Sequence, residues 1–420
     1  MRIQARWLIP ILAALVLAAG AGVWALQHRV EAGAEIGGAD LRTVLEVISL
    51  IKTQYVTEVD SISMIAGFIE TGTINGMLAE VLDDPYTRHV DARDFEQMQI
   101  DMFGEYGGIG IMVGVKDDRL TIIAPFNGTP GFEAGLRPGD RIVSINGKST
   151  QHMSLDEAVS LMRGPEGAPL VLGIQRNDGE PSEVEIIRAT IRVPSVADAA
   201  ILPPKRLPGQ LYPIAYVRLQ RFSERTAEEL DEVLEGLKSE NPAGLILDLR
   251  DNPGGTLTAA VDVANRFLPA GPIVHIVGRD EARRTIYARE GVAILDWPMV
   301  VLVNGYTASA SEIVAGALRD RGRALLVGTT TFGKGSVQTI VPLRDGTALA
   351  LTSARYETAG GRLIHETGLE PDAVVEMPPW SDGETPLSAL YGARLEDDPQ
   401  VVRAVEVLIG LIEAAERRAG

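Results

Sequence analysis

The chain has 420 residues, a length that allows two or three domains and a large hydrophobic core. Its formal net charge of -18 argues against nucleic-acid binding over the chain as a whole. The sequence has no cysteine, which excludes disulfides, thiolate metal sites and a cysteine nucleophile, and its five histidines show no metal-ligand spacing. Neither a metal nor a cofactor is therefore predicted.

The N-terminus carries a long apolar run, residues 7–26, which follows Arg2 and Arg6. The run is long enough to span a bilayer, and it also fits a long secretory signal. Arginines ahead of such a run predict that the N-terminus stays inside and that the body of the protein is exported. Residues 1–30 are therefore predicted to be an uncleaved signal-anchor, with a cleaved signal peptide as the alternative.

Residues 31–97 are predicted to form a helical arm. Apolar residues recur at helical spacing over residues 41–56, which predicts an amphipathic helix. A second helix is expected around residues 65–82, ending at the turn that begins with Asp83, Asp84 and Pro85.

Residues 98–188 consist of short β-runs separated by glycine turns. Residues 134–147 carry the pattern A-G-L-x-x-G-D-x-I-x-x-I-N-G, and residues 155–162 predict a helix. This region resembles a PDZ domain, which binds a peptide C-terminus as an added strand and holds its carboxylate on the N–H groups of a glycine-rich loop. The resemblance implies that the loop consists of Gly107, Gly108, Ile109, Gly110 and Ile111.

The two isoleucines of this loop are expected to help line the side-chain pocket for the peptide. The alternative is that each glycine of the loop only satisfies a turn.

Residues 189–376 are predicted to form an α/β core, because apolar runs typical of buried strands alternate with amphipathic helical segments. The predicted strands are residues 211–220, 244–249, 273–277, 299–303 and 324–328, and the predicted helices are residues 227–237, 256–267 and 309–318. This alternation implies stacked parallel strands. Residues 338–342 and 348–355 are expected to form a hairpin.

The tail, residues 377–420, begins with a proline-rich linker and continues with a helical pattern over residues 399–415. Its apolar stripe predicts that this helix either docks on the core or pairs with another subunit.

Residues 248–255 read D-L-R-D-N-P-G-G and follow a predicted buried strand. A Gly-Gly pair at a strand-to-helix turn exposes backbone N–H groups, which are suitable donors for a developing oxyanion. The alternative is an ordinary tight turn between a strand and a helix.

The stretch from residue 304 to 338 is typical of a nucleophile and its base. Ser309 is predicted to lie on a strand-to-helix turn, where the N–H of Ala310 and the helix dipole favour negative charge. A serine hydroxyl needs a base, and a lysine serves only when it is neutral, which requires its pKa to fall from ~10.4 by roughly 3 units. Lys334 lies between two glycines and after Phe332, which is expected to help exclude water, so burial is expected to lower its pKa.

Two other interpretations of this stretch remain open from the residues alone. Ser309 and Glu312 have the spacing of a capping box, which would make the serine a helix cap. Residues 328–334 match the first seven positions of a phosphate-binding loop, although Gly335 stands where such a loop needs Ser or Thr to hold magnesium.

Taken in order, these motifs resemble those of the C-terminal processing peptidases, also called tail-specific proteases. In that family the nucleophile is the first serine of S-A-S-E, the base is the lysine of F-G-K-G, and a glutamine four residues later supports it. The resemblance therefore implies that Ser309, Lys334 and Gln338 are catalytic, and that Gly254 or Gly255 donates to the oxyanion beside Ala310. The chain departs from the family at one position, where Thr329 replaces the usual glutamate.

The resemblance covers roughly residues 41–372 and implies a crotonase-like or ClpP-like α/β protease core with an inserted PDZ domain, an N-terminal helical arm and a C-terminal helix. The family's arm often mediates dimer contacts, and the alternative is an arm that packs on its own core. Arg163, after the PDZ helix, matches a family arginine that senses bound peptide, although it also suits the negative end of the helix dipole. Asp320 matches an acid that the family keeps near its site.

The expected function is that of an exported, membrane-tethered serine endopeptidase that takes protein C-termini on its PDZ domain and cleaves through an acyl-enzyme. The expected location is a bacterial cell envelope, on the periplasmic or extracytoplasmic side of the inner membrane. The expected partners are protein substrates, an activator or adaptor protein, the membrane and further copies of the chain. The alternative is an inactive PDZ scaffold.

Overall fold

The computed structural model describes residues 35–36, 39–116, 119–176, 179–204, 209, 211–293, 295–377 and 395–419. The signal-anchor predicted at residues 1–30 lies outside them. Within these ranges, no helix combines the length and the apolar character that a membrane crossing requires.

The N-terminal arm is built of the strands β1 (Glu35–Ile36) and β2 (Ala39–Asp40) and the helices α1 (Leu41–Gln54), α2 (Ser61–Thr71) and α3 (Ile74–Val81). Helix α1 confirms the first predicted helix, but the single helix expected around residues 65–82 is wrong. Gly72 ends α2 in the left-handed conformation, with φ 71°, and Thr73 caps the start of α3 by accepting a hydrogen bond from the Gly76 amide.

The apolar side of the arm packs against the antiparallel sheet of the core. Its buried residues form one cluster with Leu343, Leu349 and Leu351. The arm therefore docks on its own core, and a role for it in dimer contacts stays a prediction.

The PDZ-like region follows the strand β3 (Arg88–Val90) and the helix α4 (Ala92–Phe103). Its elements are β4 (Glu105–Gly108), β5 (Ile111–Lys116), β6 (Arg119–Pro125), α5 (Pro130–Glu133), β7 (Arg141–Ile145), β8 (Lys148–Ser149), α6 (Leu155–Met162), β9 (Pro169–Gln175), β10 (Ser182–Ile187) and β11 (Ala189–Arg192). Five strands pair in the order β10-β9-β7-β6-β5, with β8 on β7, whereas β4 pairs with β11. Strand β5 is thus an edge strand, and α6 confirms the predicted helix.

The core contains two sheets. Its elements are β12 (Val196–Leu202), β13 (Ile214–Leu219), α7 (Thr226–Lys238), β14 (Gly244–Asp248), α8 (Leu257–Asn265), β15 (Pro272–Gly278), β16 (Arg283–Tyr287), β17 (Met299–Val303), α9 (Ala310–Asp320), β18 (Leu325–Gly328), β19 (Ser336–Pro342), β20 (Ala348–Thr358) and β21 (Ala373–Val374). The first sheet has the order β12-β13-β14-β17-β18-β21 and is parallel except for β12.

The second sheet is antiparallel, with the order β16-β15-β20-β19 and with β3 on β20. The β19–β20 pair confirms the predicted hairpin. The expectation that residues 273–277 belong to the parallel strands is wrong, because β15 pairs with β20. A short apolar run indicates a buried strand but does not indicate which strand it pairs with. The crotonase-like or ClpP-like relationship of the core stays a prediction.

The C-terminal helix α10 (Pro399–Ala419) docks on the parallel sheet. Its apolar stripe, which includes Val401, Val405 and Leu408, packs against Ile246 and Leu302. Neighbouring residues of the same strands point to the opposite face, where α7, α8 and α9 cover them.

Candidate active site

Ser309 lies on the sharp turn between β17 and α9, at the carboxyl end of a central parallel strand. Its backbone has φ 56° and ψ -116°, a conformation that residues other than glycine rarely adopt. Such strain persists only where surrounding contacts enforce it, and it often marks a functional site. The turn also confirms that a helix begins directly after this serine.

The Gly-Gly turn that follows β14 lies against Ser309, because β14 and β17 are neighbours in the sheet. A Cβ atom on Gly254 would come within 2.9 Å of the Ser309 Cβ, and one on Gly255 within 1.8 Å of the Phe222 carbonyl oxygen. The Gly254 amide already donates to Asn252 Oδ1 at 2.9 Å.

By contrast, the amides of Gly255 and Ala310 donate no hydrogen bond to any described group. These two N–H groups are therefore available to a ligand.

Lys334 lies on the loop that joins β18 of the parallel sheet to β19 of the antiparallel sheet. Its Nζ donates to Gln338 Oε1 at 3.3 Å and lies 4.9 Å from the centre of the Tyr86 ring. No hydrogen bond joins this amine to the Ser309 hydroxyl, as judged from the contacts of the described side chains.

The charge state of Lys334 is perturbed by its surroundings. Burial lowers the pKa of the Lys334 amine, and the nearby Arg88 lowers it further. Asp84 and Glu312 act in the opposite direction on the same pKa. The direction of the shift is the one that a general base near neutral pH requires.

All six residues predicted for the catalytic centre line one cavity of about 510 Å³. They are Ser309, Lys334, Gln338, Gly254, Gly255 and Ala310. Much of the remaining wall is apolar, and Met98 and Met102 of α4 contribute to it together with Leu257, Ile313 and Ile340. The cavity thus combines a serine hydroxyl, a lysine amine and free amides with an apolar surface.

Glu312 is the residue at this site whose importance the sequence did not reveal. Its side chain is fully buried, and its carboxylate accepts hydrogen bonds from the amides of Ser309, Gly333 and Lys334 at 2.8–2.9 Å and from the Thr331 hydroxyl. Burial raises the pKa of Glu312, and these hydrogen bonds act against that rise.

The capping-box spacing of Ser309 and Glu312 was the only signal for this role. The hydrogen bond of that box from the Ser309 amide to the Glu312 carboxylate forms, but the same carboxylate also bonds to the loop that carries Lys334 between β18 and β19, called here the lysine loop. Tyr356 joins the same two segments, because its hydroxyl lies 3.0 Å from the Ser309 carbonyl and 2.7 Å from the Lys334 carbonyl.

The phosphate-loop interpretation of residues 328–334 is wrong. Such a loop connects a strand to the N-terminus of a helix, whereas here it connects β18 to β19. Phe332 is 53% exposed, and its part in excluding water from Lys334 stays a prediction. Asp320 lies at the far end of α9, where it accepts a hydrogen bond from the Gly360 amide.

The predicted peptide-binding loop is shorter than expected, because Gly107 and Gly108 belong to strand β4 and pair with β11. Ile109 and Gly110 connect β4 to β5, and Ile111 begins β5. Ile109 is only 3% exposed and belongs to the apolar core of the PDZ-like region, whereas Ile111 is partly buried. The backbone of Gly107 contacts that of Gly164, directly after Arg163.

Arg163 connects the PDZ-like region to α4. Its guanidinium donates to Gln97 at 3.1 Å, lies 4.0 Å from Glu96 and stacks 5.2 Å from the centre of the Tyr106 ring. Since α4 also lines the cavity through Met98 and Met102, one helix contacts both Arg163 and the candidate active site.

Comparison with known proteins agrees with these observations. Residues 213–375 match peptidase family S41, and residues 127–176 match a PDZ domain. The chain is 42% identical over 332 residues to the carboxyl-terminal-processing protease of Synechocystis sp., which covers 78% of this chain and 76% of that protein. It is 34% identical over 331 residues to the carboxy-terminal processing protease CtpA of Bacillus subtilis, covering 79% and 68%.

The solved structure of a putative S41 protease from Bacteroides fragilis aligns with a TM-score of 0.52 at 17% identity, over 87% of this chain and 97% of that one, which shows a shared fold. The sequence relatives carry the assignment further: this chain belongs to the carboxyl-terminal processing proteases of peptidase family S41, which are serine-type enzymes.

Proposed function

We propose that the protein is an exported serine endopeptidase that recognises the C-terminal tails of protein substrates and cleaves them by a Ser–Lys mechanism. The observation that carries this proposal is the single cavity that Ser309, Lys334 and Gln338 line together with two free backbone amides. The lowered pKa of the lysine and the strained backbone of the serine support the same roles.

In the first step the Ser309 hydroxyl attacks the scissile carbonyl carbon, and its proton passes to the neutral amine of Lys334. The amides of Gly255 and Ala310 stabilise the negative oxygen of the tetrahedral intermediate, while Gly254 keeps the turn in shape through Asn252. Lys334 then returns the proton to the leaving amine, which yields an acyl-enzyme on Ser309. A water molecule deprotonated by Lys334 hydrolyses this ester and restores the enzyme.

Gln338 orients the amine of Lys334 through the hydrogen bond between them. Because that amine bonds to Gln338 and not to Ser309 here, the lysine side chain turns toward the serine when substrate occupies the cavity. Such tightening of hydrogen bonds on substrate binding is common in enzymes.

The PDZ-like region supplies the proposed tail-binding site. Its strand β5 is at the edge of the sheet and directly follows the connection formed by Ile109 and Gly110, so a substrate tail can add to it as a further strand. Through its contacts with α4, Arg163 then transmits the binding of a tail to the active site. The proposal also places the protein in a bacterial cell envelope, anchored by residues 1–30, with homo-oligomers and an activator or adaptor as further partners.

The decisive experiment compares the wild type with Ser309→Ala on an unstructured protein substrate, with a free and an amidated C-terminus. We expect the wild type to hydrolyse the free-tail substrate, Ser309→Ala to lose hydrolysis while it keeps tail binding, and amidation to raise KM. Hydrolysis that survives Ser309→Ala would show that the nucleophile is misassigned, and tail binding without any wild-type hydrolysis would favour the scaffold.

A further inference from the structure

The turn between α3 and β3 brings one residue of the N-terminal arm to the catalytic pair. The ring of Tyr86 faces Lys334, with 4.9 Å between the ring centre and Nζ. The backbone carbonyl of the same residue accepts a hydrogen bond from Gln338 Nε2 at 2.5 Å. Tyr86 therefore contacts both the proposed base and the residue that orients it.

The turn itself is firmly held on the antiparallel sheet. Asp84 accepts hydrogen bonds from the Tyr86 amide at 3.0 Å and from the Thr87 hydroxyl at 2.6 Å. The Thr87 hydroxyl in turn accepts from the Thr352 amide of β20 at 3.0 Å. These hydrogen bonds hold the backbone of the turn in place beside the lysine, and the Tyr86 ring lies over the Lys334 amine.

Three charged groups act on the amine of Lys334 besides the ring. Asp84 on the same turn and Glu312 on α9 favour its protonated form, whereas Arg88 on β3 disfavours it. The face of an aromatic ring carries negative potential and attracts a cation, so the Tyr86 ring, like Asp84 and Glu312, favours the protonated form of Lys334.

We propose that Tyr86 is a positioning residue of the catalytic centre, through which the N-terminal arm holds the Lys334 amine with its ring, most strongly in the protonated form, and the Gln338 amide with its carbonyl. This inference rests on the proposed Ser–Lys mechanism. It assigns the arm a part in the chemistry, in addition to its packing on the core.

The proposal has a consequence for the pH dependence of catalysis. A ring that attracts the ammonium form makes the amine harder to deprotonate. Weakening the ring should therefore lower the pH at which kcat/KM rises, by about half a pH unit for a contact of ordinary strength. At acid pH this corresponds to about threefold higher activity relative to each enzyme's own maximum.

The experiment measures kcat/KM against pH for the full chain and for Tyr86→Phe, Tyr86→Leu and Tyr306→Leu. Tyr306→Leu is the matched control, because that tyrosine is 73% exposed on the turn before Ser309. We expect the acid limb to move to lower pH in Tyr86→Leu only. An unmoved limb in Tyr86→Leu, with hydrolysis still dependent on Ser309, would overturn the proposal.

A second series protects the test against a variant that fails to fold. Phenylalanines with an increasing number of ring fluorines at position 86 keep the shape of the ring and reduce its negative face. The limb should move stepwise with fluorination, and a constant limb would again overturn the proposal. A wild type without Ser309-dependent hydrolysis at any pH would instead refute the proposed function itself.

Discussion

Replacing Glu312 with glutamine is the most informative perturbation of the site, because the substitution keeps the size of the side chain and changes only its hydrogen bonding. Each carboxylate oxygen accepts from two donors: Oε2 from the amides of Ser309 and Lys334, and Oε1 from Gly333 and Thr331. A glutamine amide offers only one oxygen, so two of the four donors would face an NH2 group.

The glutamine amide can adopt two orientations, and the one whose oxygen accepts from the amides of Ser309 and Lys334 loses less hydrogen-bonding energy. The Thr331 hydroxyl, which already accepts from the Leu369 amide, can then rotate and also accept from the NH2 group, although its own proton loses the acceptor at position 312. The buried amide of Gly333 is left without a partner. A buried unpaired donor costs about 1–3 kcal/mol, and the loss of charge-assisted hydrogen bonds adds to this cost. A neutral amide is easier to bury than a carboxylate, and this difference offsets part of the cost. We therefore expect Glu312→Gln to lower the free energy of unfolding by about 2 kcal/mol.

The same perturbation should reduce catalysis more than a loss of folded protein would explain. If about 2 kcal/mol of strain at the turn appears in the transition state, kcat/KM falls about 30-fold, mainly through kcat. The acid limb of the pH profile should also move to lower pH, because Glu312 holds the pKa of Lys334 up and its charge is gone.

These effects are measurable by urea unfolding and by hydrolysis of a fluorogenic tail peptide under saturating conditions. Glu370→Gln is the control, since Glu370 is exposed on the segment between β20 and β21. A Glu312→Gln protein with the stability, kcat and pH profile of the wild type would refute the reasoning that this carboxylate joins the Ser309 turn to the Lys334 loop.

Two further predictions concern single charges. Lys334→Met should abolish hydrolysis and stabilise the fold at neutral pH, because the folded-state pKa of this lysine lies below its unfolded value of ~10.4. The gain in stability against urea should shrink as the pH rises from the folded-state pKa to the unfolded-state pKa. A gain that does not depend on pH would contradict the lowered pKa. Asp398→Asn keeps the cap of α10 but weakens the 2.7 Å pair with Arg250, so we expect a loss of about 2 kcal/mol in urea unfolding, compared with no change in the exposed control Asp397→Asn.

Much of the fold followed from short-range patterns. Strand β17 is a continuous apolar run, strand β14 is apolar up to its last residue, Asp248, and helix α10 has one clear apolar side, so all three were predictable. The residues of the cavity were predictable for a different reason, since the motifs around Ser309 and Lys334 resemble a known family. The predicted domain boundaries stay predictions.

What the sequence did not reveal depends on contacts between distant segments. The pairing of β15 with β20 joins segments about 80 residues apart, and no local pattern encodes it. The contact of Tyr86 with Lys334 spans an even longer stretch of chain. Glu312 had a sufficient local explanation as a helix cap, which concealed its second set of partners on the lysine loop.

Ser309 and Lys334, the proposed catalytic pair, are positioned by different sheets, so their distance depends on how the two sheets are joined. Ser309 and the Gly-Gly turn are fixed by the ends of neighbouring parallel strands, whereas Lys334 and Gln338 depend on the strand β19 of the antiparallel sheet. A small shift between the sheets would therefore move the Lys334 amine away from the Ser309 hydroxyl while the Gly-Gly turn stayed intact. Glu312, whose carboxylate bonds to both segments, opposes that shift, and for this reason its replacement should impair kcat before it unfolds the protein.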